Sequence, residues 1–303
     1  MTKYEVSTQS GKPNTTFEFT FKGANVASYV VGLSYWKLGL RSGAKLQDVK
    51  LRISSTSDGH TVRAIVSADL DGGALSADST VHVSCLAALG DPDANSTLTG
   101  VQGILDGGSS RRIPLCTATP GIEQAVLAGF DVAYPGSASH KIQGTHMGVA
   151  FKRPDATAAT GELRGSVGLS GHTDPYDCSV DGGLVYLDKS AGVTVEPVGS
   201  EPVQSDLVIA QTATCVNQAA VTFNMGAPLR QAAVFIQSMS MSYGNTSRFV
   251  GVIGGGAESW SLGTGAGNMF IKVGSGQAFL SDGQGHTQDR HASVTLLAVG
   301  IPV

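Results

Sequence analysis

Two histidines and two aspartates lie close together in one short segment near the end of the chain. Residues 281–291 read SDGQGHTQDRH and contain Asp282, His286, Asp289 and His291. Imidazole and carboxylate groups at this density can bind a metal ion or exchange protons. The same composition is also typical of an exposed loop between two strands, and no carboxylate cluster elsewhere in the sequence offers an obvious partner. We predict a surface loop here, and it is the first candidate site for a glycan or a protein partner.

Trp260 is the second candidate for ligand contact. It is one of two tryptophans and lies between two serines, after a glycine-rich stretch. Its flat ring suits the apolar face of a sugar, although a core position is the more frequent use of tryptophan in a protein poor in aromatic residues. The candidate ligand-binding set is therefore Trp260, Asp282, His286, Asp289 and His291.

Other polar motifs carry weaker signals. Asp91, Asp93 and Asn95 have the first three spacings of an EF-hand loop, but Ser96 and Gln102 occupy the positions where such a loop needs Gly and Glu. We predict a plain linker there and no bound metal.

Glycine-rich stretches at 254–256 and 263–267 resemble phosphate loops only in composition. Neither is followed by a Lys-Ser/Thr pair, and no βαβ pattern surrounds them. They predict turns or closely packed strands. No G-x-S-x-G elbow is present either, so the sequence predicts no catalytic residue, no cofactor and no enzyme.

The four cysteines predict free thiols. They show no CxxC spacing, and no cluster of ligands suggests zinc. The cysteines are Cys85, Cys116, Cys178 and Cys215.

Alternating polar and apolar residues predict strands. Thr16–Phe21 puts three phenylalanines on one face, and Val49–Ile53 and Val62–Val66 alternate with charges pointing outward. Turn signals separate such runs, among them Ser57–Gly59 and Asp181–Gly183. The result is typical of an antiparallel sandwich with little helix.

One apolar pattern occurs three times. Residues 23–38, 121–134 and 226–243 each begin with Gly, continue to an aliphatic residue (Val26, Ile122, Leu229) and then become apolar. Residues 122–128 favour a helix by propensity alone, but their repeat partners are rich in β-branched or mixed residues and predict a strand.

The spacing of this pattern is that of a common domain size. We predict an all-β chain of three tandem antiparallel β-sandwich, jelly-roll-like modules at residues 1–98, 99–200 and 201–303. Polar stretches at 90–108 and 198–205 are the predicted linkers.

Composition narrows the function. The net charge of −4 and the absence of a basic stripe argue against a nucleic-acid partner. No apolar run approaches the roughly 20 residues of a membrane span, and the first residues show no signal peptide. We expect synthesis in the cytoplasm, unless a leader has been removed, and a place in a virion or another assembled particle.

The module pattern resembles β-sandwich modules of phage and injection-system structural proteins, and also H-type-lectin modules. It consists of an opening apolar strand (29–33), two strands with alternating charge (49–53 and 62–66) and a closing strand that ends in Ala-x-Gly (88–90 and 298–300). The resemblance implies a fold and a broad role, and it transfers no binding residue.

Two functions follow as expectations. The first is a non-catalytic structural or attachment component of a larger assembly, such as a virion or an injection apparatus, in which copies self-associate through apolar faces and sheet edges. The alternative is a lectin-like carbohydrate-binding protein.

Overall fold

The fold is built from antiparallel strands. The computed structural model describes residues 3–40, 48–70, 75–91, 96–115, 120–133, 140–171, 177–188, 208–263, 268–289 and 291–303. Within these ranges no helix occurs, which confirms the predicted all-β class. No described segment therefore supplies a helix long and apolar enough for a membrane crossing. The strands are β1 Lys3–Gly11, β2 Thr16–Thr20, β3 Val26–Gly39, β4 Asp48–Asp58, β5 Thr61–Leu70, β6 Thr80–Leu89, β7 Ser96–Leu105, β8 Ile113–Pro114, β9 Pro120–Ala133, β10 Ile142–Lys152, β11 Thr160–Gly171, β12 Asp177–Asp188, β13 Ile209–Val216, β14 Val221–Asn224, β15 Leu229–Ser242, β16 Val252–Ala257, β17 Trp260–Gly263, β18 Phe270–Val273, β19 Gly276–Ser281 and β20 Ser293–Pro302.

Each of the three large sheets takes strands from two of the predicted modules. Their orders are β1-β6-β3-β16-β19, β7-β12-β9-β4-β5-β2 and β13-β20-β15-β10-β11-β8, and β14-β18-β17 form a small fourth sheet. One sheet thus combines strands of the first and second thirds of the chain, another those of the second and third, and another those of the third and first. This closed exchange gives the molecule an approximate threefold arrangement. Because hydrogen bonding continues across the predicted boundaries, the module limits stay a prediction about repetition in the sequence.

The strands β3, β9 and β15 occupy equivalent places in this arrangement. Each has 14 residues, and each is interrupted by two bulges at the same two positions. The bulged residues are Ala27 and Ser34, Gly121 and Ala128, and Arg230 and Gln237. The strand assignment of residues 122–128 is therefore confirmed.

The bulges also correct the repeat alignment. Val26 corresponds to Pro120 rather than to Ile122, whereas its predicted match with Leu229 holds. A slip of two residues leaves every side chain on its original face of the strand, so the apolar pattern could not reveal it.

Apolar side chains form two clusters on opposite faces of the long strands. The larger cluster fills the interiors of the sandwiches. The smaller one, called here the shared cluster, lies where β3, β9 and β15 pack against one another. Burial on both faces explains why these strands read as nearly continuous apolar runs. The shared cluster comprises Tyr4, Val6, Val30, Leu86, Ala88, Leu98, Ile122, Val126, Val185, Leu187, Val208, Ala233, Phe235, Leu297, Val299 and Ile301.

One predicted linker is wrong. Residues 90–108 contain β7, which pairs with β12 along most of its length. β7 is an edge strand with many exposed side chains, so a polar composition is compatible with its position and hides it from pattern analysis. The second predicted linker, at 198–205, lies outside the described residues.

Candidate functional site

The loop between β19 and β20 holds itself together around Asp282. The Oδ1 atom of Asp282 accepts hydrogen bonds from the N–H groups of Gln284 (2.8 Å) and His286 (3.1 Å), and its Oδ2 lies 2.7 Å from Nδ1 of His286. Desolvation alone would raise the pKa of Asp282, but these hydrogen bonds outweigh it and lower the pKa. Both carboxylate oxygens thus serve the turn itself.

Of the other residues predicted to bind a ligand, Asp289 and His291 lie at the end of this loop, and Trp260 lies in a separate sheet. Asp289 accepts hydrogen bonds from Ser242 Oγ (2.6 Å) and from the N–H of His291 (2.9 Å), which ties the loop to β15. Trp260 is half-buried in β17 and packs against the sandwich core. No hydrogen bond, ion pair or ring contact in the described structure joins Trp260 to Asp282 or His286. The structure therefore pairs Asp282 with His286 and Asp289 with His291, but it does not gather the five into one site.

The structure describes some of the remaining sequence motifs. Gly254, Gly255 and Gly256 lie in β16 and pair with β3, which confirms closely packed strands. Cys85 and Cys215 are buried free thiols, whereas Cys116 and most of the Asp91–Asn95 motif lie outside the described residues. Over the ranges that the structure describes, no three His, Cys, Asp or Glu side chains converge on a metal position.

A cleft of about 900 Å³ lies between the first two thirds of the chain. This first cleft is bounded by the beginning of β3, the end of β4, the edge strand β7 and the middle of β12. Its polar lining includes Tyr29, Ser54, Ser55, Gln102 and Arg111. Clefts of roughly 300–1,000 Å³ at interfaces between domains are the usual places for small ligands.

Asp181 is the buried acid of the first cleft. Its side chain is 1% exposed, and its Oδ1 accepts a hydrogen bond of 2.8 Å from the N–H of Gly103. Gly103 has φ +70°, a backbone conformation that glycine adopts without strain, in the irregular stretch of β7 opposite Asp181. The Oδ2 atom of Asp181 has no hydrogen-bond partner among the described residues. A buried acceptor in this state is costly unless a ligand or water satisfies it.

A charged network from the neighbouring strands reaches Asp181. The Nη1 of Arg52 lies 3.7 Å from Asp181 Oδ1, while its Nη2 lies 3.2 Å from Asp131 and donates a 2.9 Å hydrogen bond to Ser179. Lys50 lies 3.2 Å from the same oxygen of Asp131. Desolvation raises the pKa of Asp181, and the Gly103 N–H and the charge of Arg52 only partly oppose that effect.

Glycine at position 129 makes room for this acid. A Cβ there would lie 2.5 Å from the carbonyl oxygen of Leu51 and 3.1 Å from Asp181 Oδ2. Gly129 follows the bulge of β9 and pairs with Asp181. At the two equivalent places, Tyr35 pairs with His82 and Ser238 pairs with Thr295. The three equivalent places therefore have the same backbone arrangement but different side chains.

At the equivalent place in the first sheet, the rings of Tyr35 and His82 are in contact. Their ring centroids lie 5.0 Å apart, and the ring centroid of Phe279 lies 6.3 Å from that of Tyr35. Desolvation raises the pKa of Tyr35 and lowers that of His82, so both rings are held neutral there at pH 7.

Sequence analysis missed Asp181 because the two glycines that follow it in the sequence are typical of a turn. The prediction of a turn at Asp181–Gly183 is wrong, since these residues lie in the middle of β12. The two glycines are needed for packing: a Cβ on Gly182 would come within 2.7 Å of Val149, and one on Gly183 within 2.2 Å of Val30. The sequence signal that could have revealed Asp181 was an acidic residue inside a closing strand that is otherwise largely apolar.

A scan of the chain against models of known protein families finds no match, and a search of curated proteins finds none either. The geometry of the first cleft is therefore the main evidence for function.

Proposed function

We propose that this chain is a non-catalytic attachment protein that holds a neutral, hydroxyl-rich ligand, most simply a glycan, in the first cleft. The observation that carries the proposal is the buried carboxylate of Asp181, whose Oδ2 has no partner among the described residues, in a cleft of about 900 Å³. Because Oδ2 has less than 1 Å² of accessible surface, a sugar hydroxyl reaches it by displacing the neighbouring cleft wall; it then donates to Oδ2 and accepts from a neighbouring donor.

The lining of the cleft supports this ligand class. Ser54 and Ser55 supply hydroxyl groups, Gln102 an amide and Arg111 a cation, while Tyr29 adds an aromatic ring. Such a mixture matches a ring that is polar along its edge and apolar on one face. Asp181 is the one carboxylic acid among the lining residues that the structure describes. Glycoside hydrolysis usually requires a pair of carboxylates, so this lining suits binding better than cleavage.

The sheet edges support the assembly half of the proposal. The edge strands β1, β7 and β13 occupy equivalent ends of the three large sheets. In β1, side chains of β15 already bond the N–H of Val6 and the carbonyl oxygen of Tyr4. The remaining unpaired groups of these edges are templates for association with other chains. Membership of a virion or an injection apparatus remains a prediction. Light scattering with small-angle X-ray scattering tests self-association, because a discrete oligomer supports it and a monomer at all concentrations contradicts it.

Glycan binding is tested on the full chain. The protein is screened on a glycan array, and the best-retained glycan is then titrated by calorimetry. Asp181→Asn removes the charge with almost no change in volume, and Asp282→Asn makes the same change in charge outside the cleft. We expect Asp181→Asn to weaken binding about 10- to 100-fold, because a hydrogen bond to a charged group contributes roughly 1.5–3 kcal/mol.

The control variant should bind like the wild type. Thermal unfolding of both variants verifies that they remain folded. Equal loss of binding in Asp181→Asn and Asp282→Asn would contradict the assignment to the first cleft, and retention of no glycan by the wild-type protein would refute the proposed function.

A further inference from the structure

A second, smaller cleft repeats the construction of the first one third of the way around the molecule. It has a volume of about 280 Å³ and lies between the beginning of β9, the end of β10 and the bulge of β15. Its lining includes Glu123, Gln124, Phe151, Gln237 and Thr295. In the first cleft the corresponding elements are the beginning of β3, the end of β4 and the bulge of β9.

The two clefts correspond residue by residue at the second bulge of β9 and of β15. The bulged residue is Ala128 in the first cleft and Gln237 in the second. The next position on the partner strand holds Asp181 in the first cleft and Thr295 in the second. The second cleft therefore keeps a hydroxyl where the first has a carboxylate, and a long amide where the first has a methyl group.

Gln237 occupies part of the second cleft, whose lining also lacks described counterparts of the β7 residues 98–104 that line the first. A β-bulge redirects the side chain of its extra residue, and here it sends the amide toward β9. Nε2 of Gln237 donates to Oε1 of Gln124 and to the carbonyl oxygen of Ala125, both at 2.9 Å. These bonds hold the side chain across the cleft. No hydrogen bond in the described structure uses Gln237 Oε1 or Gln124 Nε2, so an acceptor and a donor lie side by side in the lining.

The rest of the second cleft is chemically similar to the first. Phe151 is half-buried beside it, with its ring centroid 5.8 Å from that of Tyr186. Glu123 lies 3.8 Å from Nε of Arg153, which offsets its charge. The cleft lining thus includes an aromatic side chain, an amide pair and the hydroxyl of Thr295, which also hydrogen-bonds Thr214 at 2.9 Å.

We infer that the second cleft is a second binding site, which takes a single sugar ring, whereas the first cleft takes a longer oligosaccharide. Gln237 sets this limit by occupying the space that Ala128 leaves open in the first cleft. A volume of about 280 Å³ lies just below the range of roughly 300–1,000 Å³ found for larger ligands. The inference rests on the proposed function, because it assumes that the first cleft binds glycan.

Calorimetric stoichiometry tests the inference on the full chain. The probes are the disaccharide that forms the terminal unit of the best-retained glycan and the methyl glycoside of its terminal sugar. The wild type should bind the methyl glycoside at two sites and the disaccharide at one. Gln237→Ala should raise the number of disaccharide sites from one to two. Ala128→Gln, which copies the second cleft into the first, should lower it from one to zero and leave methyl glycoside binding in place.

The outcomes separate the two proposals. One disaccharide site and one methyl glycoside site in the wild type would overturn the second site and leave the proposed function intact. No binding of either probe would overturn both. An unchanged disaccharide stoichiometry in a folded Gln237→Ala protein would overturn the role of Gln237. Because the wild-type measurement needs no variant, a variant that fails to fold does not remove the test.

Discussion

Replacement of Phe235 by alanine tests whether the three large sheets unfold as one unit. Phe235 is fully buried in the shared cluster, together with Val30 of β3 and Val126 of β9. A Cβ on Gly32 would lie 3.0 Å from Cδ1 of Phe235, which shows how closely the ring lies against β3. The substitution therefore removes a contact that all three thirds of the chain share.

The expected loss of stability is large. Replacement of a buried phenylalanine by alanine costs about 3–5 kcal/mol, and the upper part of that range applies where the surroundings cannot collapse into the cavity. The neighbours of Phe235 lie on strands hydrogen-bonded on both sides, so little collapse is expected. With a urea dependence of roughly 3 kcal/mol per molar for a protein of this size, the midpoint should fall by about 1 M or more.

The assay uses fluorescence from a tryptophan in another third of the chain. Trp36 is fully buried in β3, in the first third of the chain, whereas Phe235 lies in the last third. In a Trp260→Phe background, Trp36 alone supplies the tryptophan signal. If the sheets unfold together, the midpoints reported by Trp36 and by circular dichroism shift equally. Phe249→Ala is the control, because Phe249 is 49% exposed and should cost less than about 1 kcal/mol.

One result would refute this reasoning. If the Trp36 midpoint stays in place while the circular dichroism curve becomes biphasic, the thirds unfold separately. The shared cluster would then not couple them, despite the exchange of strands between sheets.

Two further predictions concern the first cleft. Because desolvation raises the pKa of Asp181, the folded state holds that proton to higher pH than the unfolded chain, whose carboxyl has a pKa of ~3.9. Stability should fall as pH rises from there through the raised pKa, and Asp181→Asn should remove this decline in melting temperature; identical pH profiles would contradict it. Gly129→Ala should cost about 1–3 kcal/mol in urea unfolding, because its Cβ meets the Leu51 carbonyl oxygen at 2.5 Å. Gly100→Ala is the matched control, since its nearest neighbour would be 4.0 Å away, and equal losses would refute the steric argument.

The strands were the most predictable part of the structure. Thr16–Phe21 and Val62–Val66 alternate because one face is buried and the other wet, and the structure contains β2 and β5 there. The repeated apolar pattern likewise located β3, β9 and β15. Local alternation is sufficient for such assignments because it depends only on which face of a strand is buried.

The candidate site was far less predictable. The loop between β19 and β20 was predicted as a site because its polar residues are adjacent in sequence. In the structure, however, the carboxylate of Asp282 is hydrogen-bonded within that loop. Asp181 and Gly129 lie far apart in sequence and meet only because β12 pairs with β9. Neither residue has a sequence pattern that would mark it as part of a binding site.

The sequence by itself determined the class of structure and the repeated strands, because alternation and turn chemistry act between near neighbours. The tertiary structure alone decided how those strands are shared. β4 pairs with β5 of its own third and also with β9 of the next third, and no local pattern encodes the second pairing. That exchange brings together the strands that line the two clefts, including the bulged residues Ala128 in the first and Gln237 in the second.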